Sequence, residues 1–287
     1  LESYLNAAVP RIYYATGAYW EFEIEAQRAR IEELQRRRLV DYQIPVRLDR
    51  NEWVQMADAV IHMGNEVVAE PYRRHNSNVH SIDNFTLPLT KPLTSYRDFD
   101  QAKRNFLWFG GTGLLHKGLD LVLEAFSELP DCHLWVCGPL YMGSEREFLR
   151  IYRNELFHQQ NVHPIGWISS YSRSFDILTD KCGFQINVSC SEGGAGAVLN
   201  CLGRGEIPLL HQNVGIDVDD VGFMIQQDTV SSIKEAVLRA VDISEAQYRR
   251  LSHNAYQQSI SRYSIESYRT NIESAIATIL AGKHTVQ

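Results

Sequence analysis

Between residues 105 and 210 short apolar runs alternate with longer stretches in which apolar side chains recur every three or four positions. The runs 105–109, 134–137, 162–165, 184–188 and 207–210 read as strands. Between them, Leu119, Val122, Leu123, Phe126 and Leu129 form one helical face, and Ala195, Val198, Leu199 and Leu202 fall at i, i+3, i+4 and i+7 of another. Helices are also predicted near 145–157 and 171–179. The alternation of strands with helices predicts an α/β fold: a doubly wound parallel sheet with helices on either side. In such a sheet a ligand lies beyond the carboxyl ends of the strands.

The flanks read differently. Residues 1–85 hold a short strand at 12–15, a long helix from about Trp20 to Leu39, a strand at 59–63 and a helix from Asn65 to about Arg74. Pro88, Pro92 and the polar run 94–100 read as a connection between two units. Past residue 225 three helices are expected at 231–241, 244–261 and 264–280, each beginning near a serine able to cap its first turn. The last carries Ile265, Tyr268, Ile272 and Ile276 in one stripe. The expected division is 1–95, 96–262 and 263–287.

Two turns carry candidate chemistry. Ser191-Glu192-Gly193-Gly194-Ala195-Gly196 sets a carboxylate at the head of a glycine-rich turn that runs into a helix. Free N–H groups at a helix start attract anions, and glycine lets a ligand approach the backbone. Asn200 lies two helical turns beyond Gly193, about 10 Å along the same face. The second turn, Gly110-Gly111-Thr112-Gly113, follows a strand and leads to Lys117-Gly118 at the start of a helix. Lys117 there is either a point charge for a diphosphate or a solvated surface lysine.

The order of these motifs resembles the nucleotide-sugar domain of GT-B fold glycosyltransferases, most closely the retaining family 4 (glycosyl transferases group 1). Gly-Gly-x-Gly-x-x-x-Lys-Gly-Leu-Asp at 110–120 is followed by Val136-Cys137-Gly138-Pro139, Ile165-Gly166-Trp167-Ile168, Ser191-Glu192-Gly193-Gly194 and Gly205-Glu206-Ile207-Pro208. The resemblance covers about 104–225, and several spaced motifs in order are more specific than any one of them. It implies a GT-B architecture: 1–95 a partial, acceptor-side N-terminal Rossmann-like domain with its linker, 96–262 the nucleotide-sugar-binding Rossmann-like domain, and a helical C-terminal tail. The final helix, 263–287, either crosses back to the first domain or packs within the second. The first domain is too short to be complete, so an N-terminal part is expected to be missing.

The resemblance also implies roles. Lys117 would contact the donor diphosphate, and Glu192 with the amides of Gly193, Gly194 and Ala195 would hold the donor sugar. Gly110, Gly111, Thr112 and Gly138 would border the donor, with Ile168 near the base. Asn200 stands where the family usually has a second glutamate for the ribose hydroxyls; an amide still donates and accepts. The arginine that commonly accompanies the lysine, near Thr112, is absent. The implied activity is transfer of a sugar from a nucleotide-sugar donor to a hydroxyl acceptor such as a glycan, with retention, with no metal and no cofactor beyond the donor. The departures keep open a catalytically degenerate GT-B-like binding or partner subunit.

Composition narrows the partners. With 28 basic against 35 acidic residues, net charge −7, a general nucleic-acid surface is disfavoured. No apolar run approaches 18 residues, so no transmembrane segment is expected, although peripheral membrane contact stays open. The start at Leu1 suggests a fragment. Arg28, Arg30, Arg36, Arg37 and Arg38 share a helix with five glutamates and read as a solvated, ion-paired face. Five cysteines, odd in number and without metal-ligand spacing, read as small buried hydrophobes in a reducing, cytoplasmic setting. A dinucleotide fingerprint fails because His116 replaces its third glycine, and a P-loop fails because Leu119 stands where Lys-Ser/Thr is required. Asp217-Val218-Asp219 reads as an acidic loop in preference to a metal site, and the turn 15–18 is the candidate for acceptor contact.

Overall fold

A computed structural model describes residues 9–43, 52–88 and 97–283. The chain builds two parallel sheets. The first is β1 (Ile12–Ala15), β2 (Ala59–Met63) and β3 (Val79–Ile82), in that spatial order, with Ile12 beside Ala59 and Val60 beside Val79. Helix α1 (Trp20–Arg38) follows β1, short α2 (Trp53–Met56) precedes β2, and α3 (Glu66–Arg73) joins β2 to β3. The polar connection lies partly outside the described residues; its described end, from Arg97, leads into α4 (Phe99–Ala102), a turn capped by the Asp98 carboxylate. Arg97 is buried and donates to the carbonyls of Thr179, Arg204 and Gly205, anchoring the chain where the second unit begins.

The second sheet has six strands: β4 (Asn105–Phe109), β5 (His133–Cys137), β6 (Val162–Pro164), β7 (Phe184–Asn187), β8 (Ile207–His211) and β9 (Phe223–Ile225). Their spatial order is β6-β5-β4-β7-β8-β9, all parallel. The chain therefore lays down β4, β5 and β6 in one direction, returns, and lays down β7, β8 and β9 in the other. The carboxyl ends of neighbouring β4 and β7 flank the switch point, where a crevice opens because the connections leave to opposite sides. Helices α5 (Leu119–Ser127), α6 (Arg146–Ile151), α7 (Arg153–Phe157), α8 (Arg173–Lys181), α9 (Gly196–Leu202) and α10 (Val230–Val241) cover the faces. The core beneath them centres on Phe106, Trp108, Phe126, Phe148 and Phe184, all fully buried.

Helix α11 (Glu245–Ile260) opens with a capping box in which Ser244 and Gln247 each satisfy the other's backbone amide. Helix α12 (Ile265–Lys283) then runs to the first sheet, where Ala275 and Ile279 pack on Ala59, Ile61, Met63 and Ile82. The expected single helix 145–157 is broken: a 3-10 turn at Gly143–Glu145 leads into α6, and Tyr152 interrupts the run before α7. Strands β3 and β9 are short and were not expected. The helix at 230–241 is capped by Thr229, so the cap lies two residues before the expected serine.

One expectation is overturned. The arginines of α1 do not share a solvated face: Arg30 is 3% exposed, and Leu34 of the same helix is buried in the core of the second sheet. Arg30 pairs with Asp120 and Asp228, Arg37 with Asp120 and Glu124, and Arg38 with Glu124 and Glu155. Arg28 and Arg36 keep to the surface, Arg36 paired with Glu33. The i,i+4 pattern was read along one helix, whereas the acids that matter are about a hundred residues away in sequence.

Candidate functional site at the sheet switch point

Strand β4 delivers the first loop. Trp108, the last fully buried side chain of β4, places its indole directly beneath Gly110 and Gly138. A Cβ on either glycine would stand 2.8 Å from that ring, so both positions are glycine for packing reasons alone. The Gly110 amide donates to Cys137 and the Gly138 amide to Gly166, locking the ends of β4, β5 and β6 together. Gly111 and Thr112 stand exposed at the crest, and a Cβ on Gly111 would meet nothing within 4 Å. The loop's next two amides are not open to a ligand. Buried Glu145 accepts from Gly113 N at 2.6 Å and from Leu114 N at 3.2 Å, a fixed carboxylate where the sequence suggested free N–H groups. Gly118, at φ 73°, caps α5 in the left-handed region.

Strand β7 delivers the second loop. Glu192 forms an ion pair with Lys117, 75 residues earlier, and the two side chains are 14% and 21% exposed. A Cβ on Gly193 would lie 2.6 Å from Thr16 O, so this loop seats against the turn after β1. Gly194 adopts φ 70°; its carbonyl accepts from Asn84 Nδ2 at 2.7 Å, and Gly64 and Gly215 crowd its amide. Ala195 N donates to Val214. The first turn of α9 is thus closed over by residues from both sheets.

Between the loops lies His116. Its carbonyl accepts from Cys190 N, and its Nδ1 is 3.4 Å from Cys190 Sγ. Burial lowers the imidazole pKa against the opposing pull of Glu192, with Lys117 adding to the lowering. Burial pushes the Cys190 thiol up to about 12, which removes it as a nucleophile. All five cysteines are buried and unpaired.

The remaining implied positions spread along the same sheet edge. Gly138 follows β5, and partly buried Ile168 lies beyond β6, packed against the apolar cluster that holds Phe175 and Leu178. Asn200 is engaged elsewhere, its Oδ1 accepting from Leu87 N at 3.0 Å, which ties α9 to the connection between the sheets. Asp217 accepts from Asn65 and lies 3.4 Å from the Arg262 guanidinium, so it sits beside a cation. The turn 15–18 borders a cavity of about 360 Å³ lined by Tyr13, Tyr19, Trp20, Glu23 and Tyr72, next to the Gly193 seat. Sequence reasoning missed Glu145, Arg30 and Trp108. Glu145 carried no signal, because it sits 32 residues from its partner at the head of an expected helix.

Two parallel sheets covered by helices and meeting at a seam beside the switch point of the second, with a helix returning from the second to the first, make the GT-B fold. Solved structures agree. HepE from Anabaena, in complex with UDP-glucose, matches with a TM-score of 0.64 at 11% identity over 94% of this chain and 72% of its own. Sucrose-phosphate synthase from Thermosynechococcus elongatus matches with 0.64 at 14% identity over 95% and 74%. TarM matches with 0.61 at 12% identity over 82% of this chain and 48% of its own, so the chain spans about half the length of that structure. No family model and no curated protein sequence matches the chain. Among the described residues no helix is long and apolar enough to cross a membrane.

Proposed function

We propose that the chain is a nucleotide-sugar-dependent glycosyltransferase whose donor lies along the carboxyl edge of β6, β5, β4 and β7. The observation that carries this reading is the meeting of Lys117 and Glu192 at the switch point, one cation and one carboxylate from neighbouring strand ends. The named transferases of the same fold support it, HepE being one whose structure holds UDP-glucose. When the sugar C1–O bond to the β-phosphate breaks, charge gathers on the diphosphate. Lys117 and the open crest at Gly111 and Thr112 would receive that charge without a metal. Glu192, released from Lys117 as the diphosphate arrives, would accept hydrogen bonds from sugar hydroxyls and orient C1, with retention of configuration. The acceptor hydroxyl, passing its proton to the departing β-phosphate oxygen as its own oxygen bonds to C1, would enter from the aromatic-lined cavity beside 15–18.

A second reading, a catalytically degenerate GT-B-like binding or partner subunit, is favoured by one observation: the Asn200 oxygen is taken by Leu87 N. Titrating the protein with UDP and with UDP-sugars, then following sugar release and transfer, separates the two. Turnover supports the transferase; binding without turnover, or no UDP binding, supports the second reading.

A further inference from the structure

We infer that Arg30, on a helix belonging in sequence to the first unit, is a positioning residue that couples the Lys117 loop to the Glu192 loop. Its guanidinium is 3% exposed and reaches both elements at once. Nη2 donates to the carbonyl of Val188 at 3.0 Å, one residue beyond β7 and four before Glu192. Nη1 lies 3.5 Å from the carboxylate of Asp120, in the first turn of α5 and three residues after Lys117. The same Nη2 is 3.2 Å from Asp228.

The Val188 carbonyl is also where the two loops touch directly: a Cβ on Gly118 would lie 2.5 Å from it. Gly118 must therefore be glycine for α5 to start so close to β7, and the arginine completes the contact with charge. Asp120 is wholly buried and is held from a second side by Arg37, which fixes it against the α1 helix. A planar guanidinium serves three acceptors in fixed directions, which an ammonium on a flexible stem does not. Removing it leaves Asp120 with one cation, and Val188 O and Asp228 with none from α1, a loss felt at both loops and at the loop after β9.

The functional side of this inference rests on the transferase reading; the coupling does not. The test is hydrogen exchange on the ligand-free protein, comparing wild type with Arg30→Met and Arg30→Lys, followed by UDP titration of each. In Arg30→Met, amides in 110–118 and 188–196 are expected to exchange about tenfold faster together, a loss of about 1.4 kcal/mol in local protection, while β5 and β6 keep theirs. Arg30→Lys should rescue one of the two segments and leave the other loose. UDP affinity should fall about tenfold in Arg30→Met with the thermal midpoint of folding still cooperative. Uniform acceleration across the second sheet, or none in either segment, overturns the coupling. If Arg30→Met does not fold, the one-segment rescue in Arg30→Lys decides alone. Wild-type protein that ignores UDP overturns the transferase reading and leaves the exchange result standing.

Discussion

The carbonyl oxygen of Thr16 stands 2.6 Å from where a Cβ on Gly193 would lie, so the turn after β1 and the loop after β7 meet at backbone distance. Gly17 is equally near, with its N and Cα at 2.8 Å. Gly193→Ala is therefore expected to push the two sheets apart at this seam, destabilising the closed arrangement by about 1–3 kcal/mol. Small-angle scattering and urea unfolding would read the change; an unaltered radius of gyration and midpoint would show that the seam tolerates a methyl group.

On the transferase reading, Lys117→Met should weaken UDP binding and turnover together, because it removes the cation that would face the donor diphosphate. Glu192→Gln should leave UDP affinity nearly intact while lowering transfer by about 10²–10³, the usual cost of losing a charge-oriented contact made at the reacting sugar. Steady-state kinetics beside UDP calorimetry checks the split.

Glu145→Ala strips the partner from Gly113 N and Leu114 N in a buried setting. A loss of about 1–3 kcal/mol in unfolding free energy is expected, and Glu145→Gln, which keeps one acceptor oxygen, should recover part of it. Chemical denaturation of the three proteins measures this directly.

Glu206 is wholly buried, and burial pushes its carboxyl from 4.5 up to about 8 against the opposing pull of Arg97. Between those values the native chain keeps a proton that the unfolded chain has released. The stabilising contribution of that protonated form is complete below pH 4.5 and is lost as pH rises toward 8. Unfolding free energies from urea titrations between pH 6 and 8 should therefore fall with a slope of up to about 1.4 kcal/mol per pH unit from this group. Glu206→Gln should flatten the slope; an unchanged slope would assign it to other groups.

Much of this architecture was legible in the chain. Mostly apolar runs such as 105–109 and 134–137 announced strands, and their alternation with helical stripes announced a parallel sheet. Strand order was not legible: that β4 and β7 are neighbours is set by connections that reverse direction after β6, and local pattern carries no such information. The glycines at 110 and 138 were visible, but their cause, the indole of Trp108 beneath both, was not. Charge pattern misled at α1, because i,i+4 glutamates offered a local explanation for arginines whose partners come from α5, α7 and the loop before α10. Strand β9 is only three residues long and β3 holds two apolar residues separated by His80 and Ser81, so neither stood out in the chain.

The shared indole under two strand ends sets a rule for anyone wishing to retune what this cleft accepts. Side chains cannot simply be added at 110 or 138 to reshape its floor, since the aromatic plate below already fills that volume. Redesign has to start one layer down, shrinking Trp108 first and also giving up the hydrogen bond from its Nε1 to the Lys117 carbonyl. Floor and lysine are then remodelled as one part.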